Sequence, residues 1–253
     1  MEKIYKNHMR YSRNFFKIQL QFASIISKKR NISYSQALFL YTCIYVRLFG
    51  YRDDCPPREN DIQWEELIHN LPRNRGTQLT YLYSQYLNGE AQPKPKSNLK
   101  RFGCFSYFFH KKINQYELHF GAHDPKGNLG MNRIQARLAD WRNLFKDMQS
   151  QGRHNTTCKI DTWLMNIDAF RRLLPSQFVA ATKPYRVGTT QTFTFWGPLV
   201  NRFGKVQTAM KNELFRKLQT ENNIYIEDYF PRQALTSEVK TEIFYEYYLN
   251  KKY

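Results

Sequence analysis

With 253 residues, 42% of them apolar and 16% aromatic, the chain carries enough hydrophobic surface to offset the entropy of ordering its backbone. That excludes a disordered protein and allows one large domain or two small ones. Its formal charge of +18 excludes an acidic surface and suits a phosphate-bearing ligand, anionic lipid or an acidic partner.

The charge is concentrated early, because residues 1–50 hold nine Lys or Arg against the single acid Glu2. Phe15, Ile18, Phe22, Ile25 and Ile26 recur at helical spacing and predict an amphipathic helix over 12–28, with Lys17 and Lys28 at its edges. Lys17, Gln19 and Gln21 interrupt its apolar side and the cluster Lys28-Lys29-Arg30 follows, with no small-residue cleavage site, so it does not read as a signal peptide. Ser33 or Ser35 caps a second predicted helix over 34–49, ended by Gly50. The apolar run 37–46 spans ten residues, half of the roughly 20 that a membrane span needs. Beyond Pro56-Pro57, Asp61 caps a helix over 62–71, and Leu79, Leu82, Tyr83 and Tyr86 line one side of another over 77–87. The polar stretch 89–100, with Pro93, Pro95 and three lysines, marks the expected boundary between a helical region, 1–90, and a core domain, 98–253.

The most legible part is 102–178. Aromatic-rich runs at 102–110 and 115–123, joined by 111–114, predict an antiparallel hairpin. Residues 124–130 form a turn-rich loop. In the next segment, 131–149, Ile134, Leu138, Trp141, Phe145 and Met148 fall at spacings of 4, 3, 4 and 3, the clearest helical period in the chain. A strand over 156–164 and a short helix over 168–174, stopped by Pro175, follow. The remainder reads as a strand at 190–195, a helix at 206–218, a short strand at 224–226 and a terminal helix over 236–249, opened by the capping-box-like Ser237-Glu238-Val239-Lys240. No repeat of fixed period emerges. The sum is an α+β fold, a mixed sheet with flanking helices plus the N-terminal helical region.

The four cysteines, Cys43, Cys55, Cys104 and Cys158, form no close pair, so no zinc knuckle or redox dithiol is written here, and buried thiols in a cytoplasmic protein are expected. His119 and His123 invite a metal reading, but four residues along a strand span about 13 Å, too far for one ion. Each is instead a candidate general base beside Glu117 or Asp124, set against the plainer role of a strand-end histidine. Lys126, Gly127, Asn128 and Gly130, between a strand and a strong helix, are the best anion site the sequence offers. Unpaired backbone N–H groups and the positive end of the helix dipole suit phosphate there, and Arg133 and Arg137, one turn apart, add cations. The plain reading is an ordinary turn. The pattern is neither a phosphate-binding GK[ST] loop nor a dinucleotide-binding glycine triplet, and no nucleophile elbow or glycosidase carboxylate pair occurs.

Two resemblances add to this. The run from Thr162 through Trp163-Leu164-Met165-Asn166 and Ala169-Phe170-Arg171-Arg172 to Pro175, with Leu118-His119-Phe120 upstream and Phe195-Trp196-Gly197 downstream, resembles a family of bacterial hypothetical proteins. Those proteins share a Trp-Leu-x-Asn run leading to an alanine, an aromatic residue, arginines and a proline. That resemblance covers about residues 99–218 and implies a bacterial origin and a shared fold. The order of hairpin, glycine-bearing loop, helix, strand and short helix is similar to the acetyl-CoA-binding half of the Gcn5-related N-acetyltransferases. In that family the loop cradles a pyrophosphate and an Asn-x-x-Ala segment follows the next strand, a spacing matched by Asn166 and Ala169; Gly127 and Gly130, however, are three apart where the family's loop has two. This second resemblance implies acetyl-CoA or another phosphate-bearing cofactor at 126–137. Two readings follow: an acyltransferase-like enzyme with His119 or His123 as base, or a non-catalytic basic protein binding nucleic acid or an acidic partner through its N-terminal helices.

Overall fold

A computed structural model describes residues 10–50, 58–88, 100–121 and 129–250. In chain order the elements are α1 (Arg13–Arg30), α2 (Tyr34–Tyr41), α3 (Ile44–Phe49), α4 (Ile62–His69), α5 (Arg75–Leu87), β1 (Lys100–Phe102), β2 (Phe105–His110), β3 (Gln115–Phe120), α6 (Ile134–Ser150), β4 (Thr157–Thr162), α7 (Asp168–Arg171), α8 (Ser176–Ala180), β5 (Lys183–Pro184), α9 (Phe193–Trp196), α10 (Thr208–Thr220), β6 (Leu235–Lys240) and α11 (Glu242–Tyr245). The class is α+β, a six-stranded mixed sheet with flanking helices. Among the described residues no helix is long and apolar enough to cross a membrane.

The chain forms two compact units, one of Met1–Pro95 with Arg186–Arg232 and one of Lys96–Tyr185 with Gln233–Tyr253. The stretch 186–232, which composition alone left in the core domain, therefore packs with the N-terminal helices. Its reason is aromatic: Trp196 lies 5.3 Å from Phe22 of α1 and 5.1 Å from Phe230, all three fully buried. The single expected helix over 34–49 is broken at Thr42, whose backbone is extended (φ −124°, ψ 158°). Buried Gln19 accepts from Cys43 N–H at 2.8 Å and the Thr42 hydroxyl donates to the Leu38 carbonyl at 2.6 Å, so side chains replace the helical ladder at the break. Residues 190–195 are not a strand. Thr190 N–H donates to the Leu40 carbonyl at 3.0 Å and its hydroxyl to Tyr41, so this segment ties onto the end of α2 before α9 begins. Residues 224–226 likewise form no strand and lead into a 3-10 turn, Ile226–Tyr229.

In the second unit the strand order is β1-β2-β3-β4-β6-β5. Gly103 splits the expected 102–110 strand into two, because its φ of +57° turns the chain where a Cβ would meet the Asp140 carboxylate at 2.1 Å. β2 and β3 form the expected hairpin, with Asn114 in the left-handed region closing the turn. β3 and β4 are the one parallel pair among the described strands, joined by the crossover helix α6. The expected terminal helix gives way to β6, which pairs with β4 on one side and β5 on the other; helix starts only at Glu242 and closes in a π-type turn, Glu246–Asn250.

Strand alternation gives this sheet two unlike faces. Phe105, Tyr107, Tyr116, Leu118, Cys158 and Ile160 point to a buried core shared with Trp141, Leu144, Phe145 and Met148 of α6. Trp141 stacks on Phe105 with ring centroids 3.9 Å apart, and Phe145 stacks on Phe244 at 4.7 Å. Burying an aromatic such as Phe145 contributes roughly 1.5–3 kcal/mol, so this seam holds α6 against the sheet. A polar clamp adds to it. The Tyr107 hydroxyl meets Asp147 of α6, which also pairs with Lys100 at 3.1 Å. Burial alone would raise the Asp147 carboxyl, but the hydrogen bonds from Tyr107 and Lys100 bring it below its ordinary value.

Candidate active site

The opposite face of the sheet carries a cluster of titratable side chains. Cross-strand register places Ser106 beside His119, Phe108 beside Glu117 and His110 beside Gln115, all on the face turned from α6. Glu117 sits between two imidazoles, with His110 Nε2 at 2.7 Å from one carboxylate oxygen and His119 Nε2 at 3.5 Å from the other. All three side chains are between a quarter and a third exposed, so they are half-buried yet reachable. The Phe108 ring meets His110 edge to face at 4.7 Å and helps fix its plane. In the next strand Lys159 is level with Glu117 and pairs with Asp161 at 2.9 Å, its ammonium also lying 5.5 Å from the Tyr185 ring. A carboxylate that orients an imidazole and stabilises its protonated form is the arrangement general base catalysis requires.

A second feature adjoins this cluster. β3 and β4 are in register only through Gln115↔Thr157, Tyr116↔Cys158 and Glu117↔Lys159. Beyond that point 118–120 of β3 still pair with β2, and 160–162 of β4 still pair with β6, but the two parallel strands no longer pair with each other. His119 stands in this parted half. The carboxyl ends of parallel strands are where open mixed sheets accept ligands, since neighbouring backbone groups there are left for another partner.

The expected anion site lies at the same end of β3. His123, Lys126, Gly127 and Asn128 fall outside the described residues. Gly130 has an extended backbone (φ −61°, ψ 149°), and its carbonyl accepts from Arg133 N–H at 2.8 Å, starting a 3-10 turn, Met131–Arg133, that runs into α6. Arg133 is half-buried beside this turn. Arg137 has a different environment: it is 4% exposed, its guanidinium lies 3.3 Å from Asp140 and it donates to Cys104. Such a buried cation is held by its own carboxylate, so Gly130 and Arg133 are the surface members of the group.

Sequence reading passed over two members. His110 enters through the hairpin register, and its signal was the four-residue turn that sets His110 opposite Gln115. Arg172 reaches back to the start of the 3-10 turn, its guanidinium 3.9 Å from the Met131 sulfur, and borders an open cleft of about 770 Å³ along α7 and α8. Its signal was the paired Arg171-Arg172, read above only as part of a kinship motif. That motif has a structural account. Thr162 caps the turn Trp163–Asn166 through Leu164 N–H at 3.1 Å, and the Asn166 amide donates to the carbonyls of Trp163 at 2.7 Å and Gln233 at 2.8 Å. Among the described residues no group of three or more His, Cys, Asp or Glu could hold a metal ion.

Lys29 donates to the Glu221 carbonyl at 3.0 Å and Arg30 to that of Asn223 at 3.0 Å, so two cations of the basic end of α1 are engaged within the helical unit. Comparison with known proteins returned no match, whether with family models, curated proteins or solved structures.

Proposed function

We propose that this protein is an acyltransferase-like enzyme that binds a phosphate-bearing acyl carrier, with acetyl-CoA its simplest form, where β3 and β4 part. The parting itself carries the reading. An extended ligand arm with amide groups can pair with the edges left at 118–120 and 160–162, in the manner of an added strand, while its phosphates lie against Gly130 and Arg133 at the start of α6. The acyl end of such an arm would face His119 and Glu117. In the transfer the acceptor amine would attack the thioester carbonyl, forming the C–N bond as the C–S bond breaks; His119 would take the proton from the amine nitrogen and its imidazolium would return that proton to the leaving thiolate. The Asn166-x-x-Ala169 spacing and the order of hairpin, loop, helix and strand agree with the resemblance to N-acetyltransferases. Kinship with the bacterial family of the Trp163 run belongs to the same proposal. So does a cytoplasmic location, suited to three buried thiols, Cys43, Cys104 and Cys158, that form no disulfide.

The alternative, non-catalytic binding of nucleic acid or an acidic partner, rests on the charge of +18, and two cations of its strongest cluster are engaged with backbone carbonyls. Calorimetry with acetyl-CoA separates the two. Wild-type protein should bind, and Gly130→Asp combined with Arg133→Glu should weaken binding by at least about tenfold, because an added carboxylate and a reversed charge face the phosphates. No binding in the wild type overturns the enzyme reading, and unchanged binding in the double variant overturns the placement of the phosphates at Gly130 and Arg133. Steeply salt-dependent binding of mixed-sequence nucleic acid would favour the alternative.

A further inference from the structure

Arg172 connects two features of the second unit that the sequence keeps 41 residues apart, the turn at Met131 and the open cleft along α7 and α8. The cleft, about 770 Å³, lies within the range of small-molecule sites. Its lining mixes an apolar part, Leu174, Val179 and Ala180, with Tyr247, Ser176, the two cations Arg171 and Arg172 and the single carboxylate Asp168. Neither arginine is tightly held. Arg171 has only a 3.7 Å approach to a well-exposed Asp168, an exposed pair of small worth, and Arg172 rests against the neutral thioether of Met131. Two arginines against one carboxylate, beside an apolar part, leave the cleft a net positive charge that suits a ligand with an anionic group and a flat or apolar body, and a phosphate on a nucleoside meets that description.

Building on the acyl-carrier reading, we infer that this cleft is a second phosphate subsite, in which Arg172, with Arg171 beside it, takes a phosphate of the carrier's nucleoside end separate from the pyrophosphate at Gly130 and Arg133. In coenzyme A that group is the 3′-phosphate, so Arg172 is a specificity-determining residue that tells CoA from dephospho-CoA. Its contact with Met131 is what places the subsite beside the pyrophosphate turn.

Calorimetry on the whole chain with acetyl-CoA and acetyl-dephospho-CoA tests this. Wild-type protein should prefer acetyl-CoA by about tenfold, the scale of one lost charge-assisted contact. Arg172→Gln should bind both equally, at the wild-type affinity for the dephospho form, and Arg172→Lys should restore part of the preference. Arg172 is exposed, so these variants should keep the wild-type circular dichroism and melting midpoint. If wild-type protein binds both ligands alike, or if Arg172→Gln keeps the full preference, the subsite is wrong while the acyl-carrier reading stands. If Arg133→Glu leaves acetyl-CoA binding intact while Arg172→Gln abolishes the preference, the subsite stands and the Gly130 placement falls. If neither ligand binds wild-type protein, both inferences are overturned.

Discussion

His119 depends on Glu117, and Glu117 is shared. Its carboxylate approaches His110 at 2.7 Å and His119 at 3.5 Å, so the closer imidazole fixes the carboxylate that the more distant one faces. His119→Ala should therefore lower the rate of thiol release from acetyl-CoA with a primary-amine acceptor by about 10²-fold, the lower end of what a positioned base contributes. Glu117→Gln keeps the shape of the site but removes the charge that stabilises the imidazolium, and should cost about tenfold in rate. Both variants should bind acetyl-CoA as tightly as wild type, because the proposed phosphate contacts are at Gly130 and Arg133. Equal losses in affinity and rate would show that these residues shape the site instead of moving a proton.

At the level of elements, the break between α2 and α3 shows how much depends on one side chain. Gln19 is fully buried in α1, and its carbonyl is the acceptor for Cys43 N–H, a group with no helical partner once Thr42 is extended. Gln19→Leu should cost about 1–3 kcal/mol in urea unfolding, the desolvation penalty of one buried orphan donor, although it makes α1 more apolar. A gain in stability would mean that water or a local shift can satisfy Cys43. The same break explains what the sequence hides. Periodicity located α1, the hairpin and α6 within a few residues, because each repeats over its own length. It missed the split at Thr42, the loop and helix start at 190–195 and strand β6, since each depends on a partner far along the chain. In 236–240 the local signals of a helix cap are present, yet Thr236 and Val239 are strand formers that pair with β4, and Thr236 also pairs with β5. The helical reading holds from Glu242 onward, where Phe244 and Tyr248, four apart, are both buried. The candidate site was half legible for the same reason: His119 and Gly130 carry local patterns, whereas His110 and Arg172 enter through a cross-strand register and a contact 41 residues away.

Over the whole molecule, the buried acids of both units set a limit on the alkaline side. Burial pushes the thiols of Cys43 in the helical unit and Cys158 in the sheet unit up to about 12 from 9.0, and the hydroxyls of Tyr11 and Tyr34 up to about 12 from 10.0. In each case the folded state keeps its proton at a pH where the unfolded chain has lost it. Below pH 9 both states are protonated and these groups leave stability independent of pH. Between about pH 9 and 12 the unfolded state gains by ionising first, so stability falls as pH rises, with the thiols acting from about 9 and the tyrosines from about 10. Urea unfolding at pH 7.5, 9 and 10.5 should show a midpoint nearly constant over the first step and clearly lower at the last. Cys43→Ala and Cys158→Ala together should flatten the decline that begins near pH 9, although each alanine lowers the midpoint at neutral pH by leaving a small void. A midpoint that holds steady to pH 10.5 in the wild type would show that these thiols and hydroxyls are not protonated by burial, and that the packing drawn around Cys43 and Cys158 is looser than described.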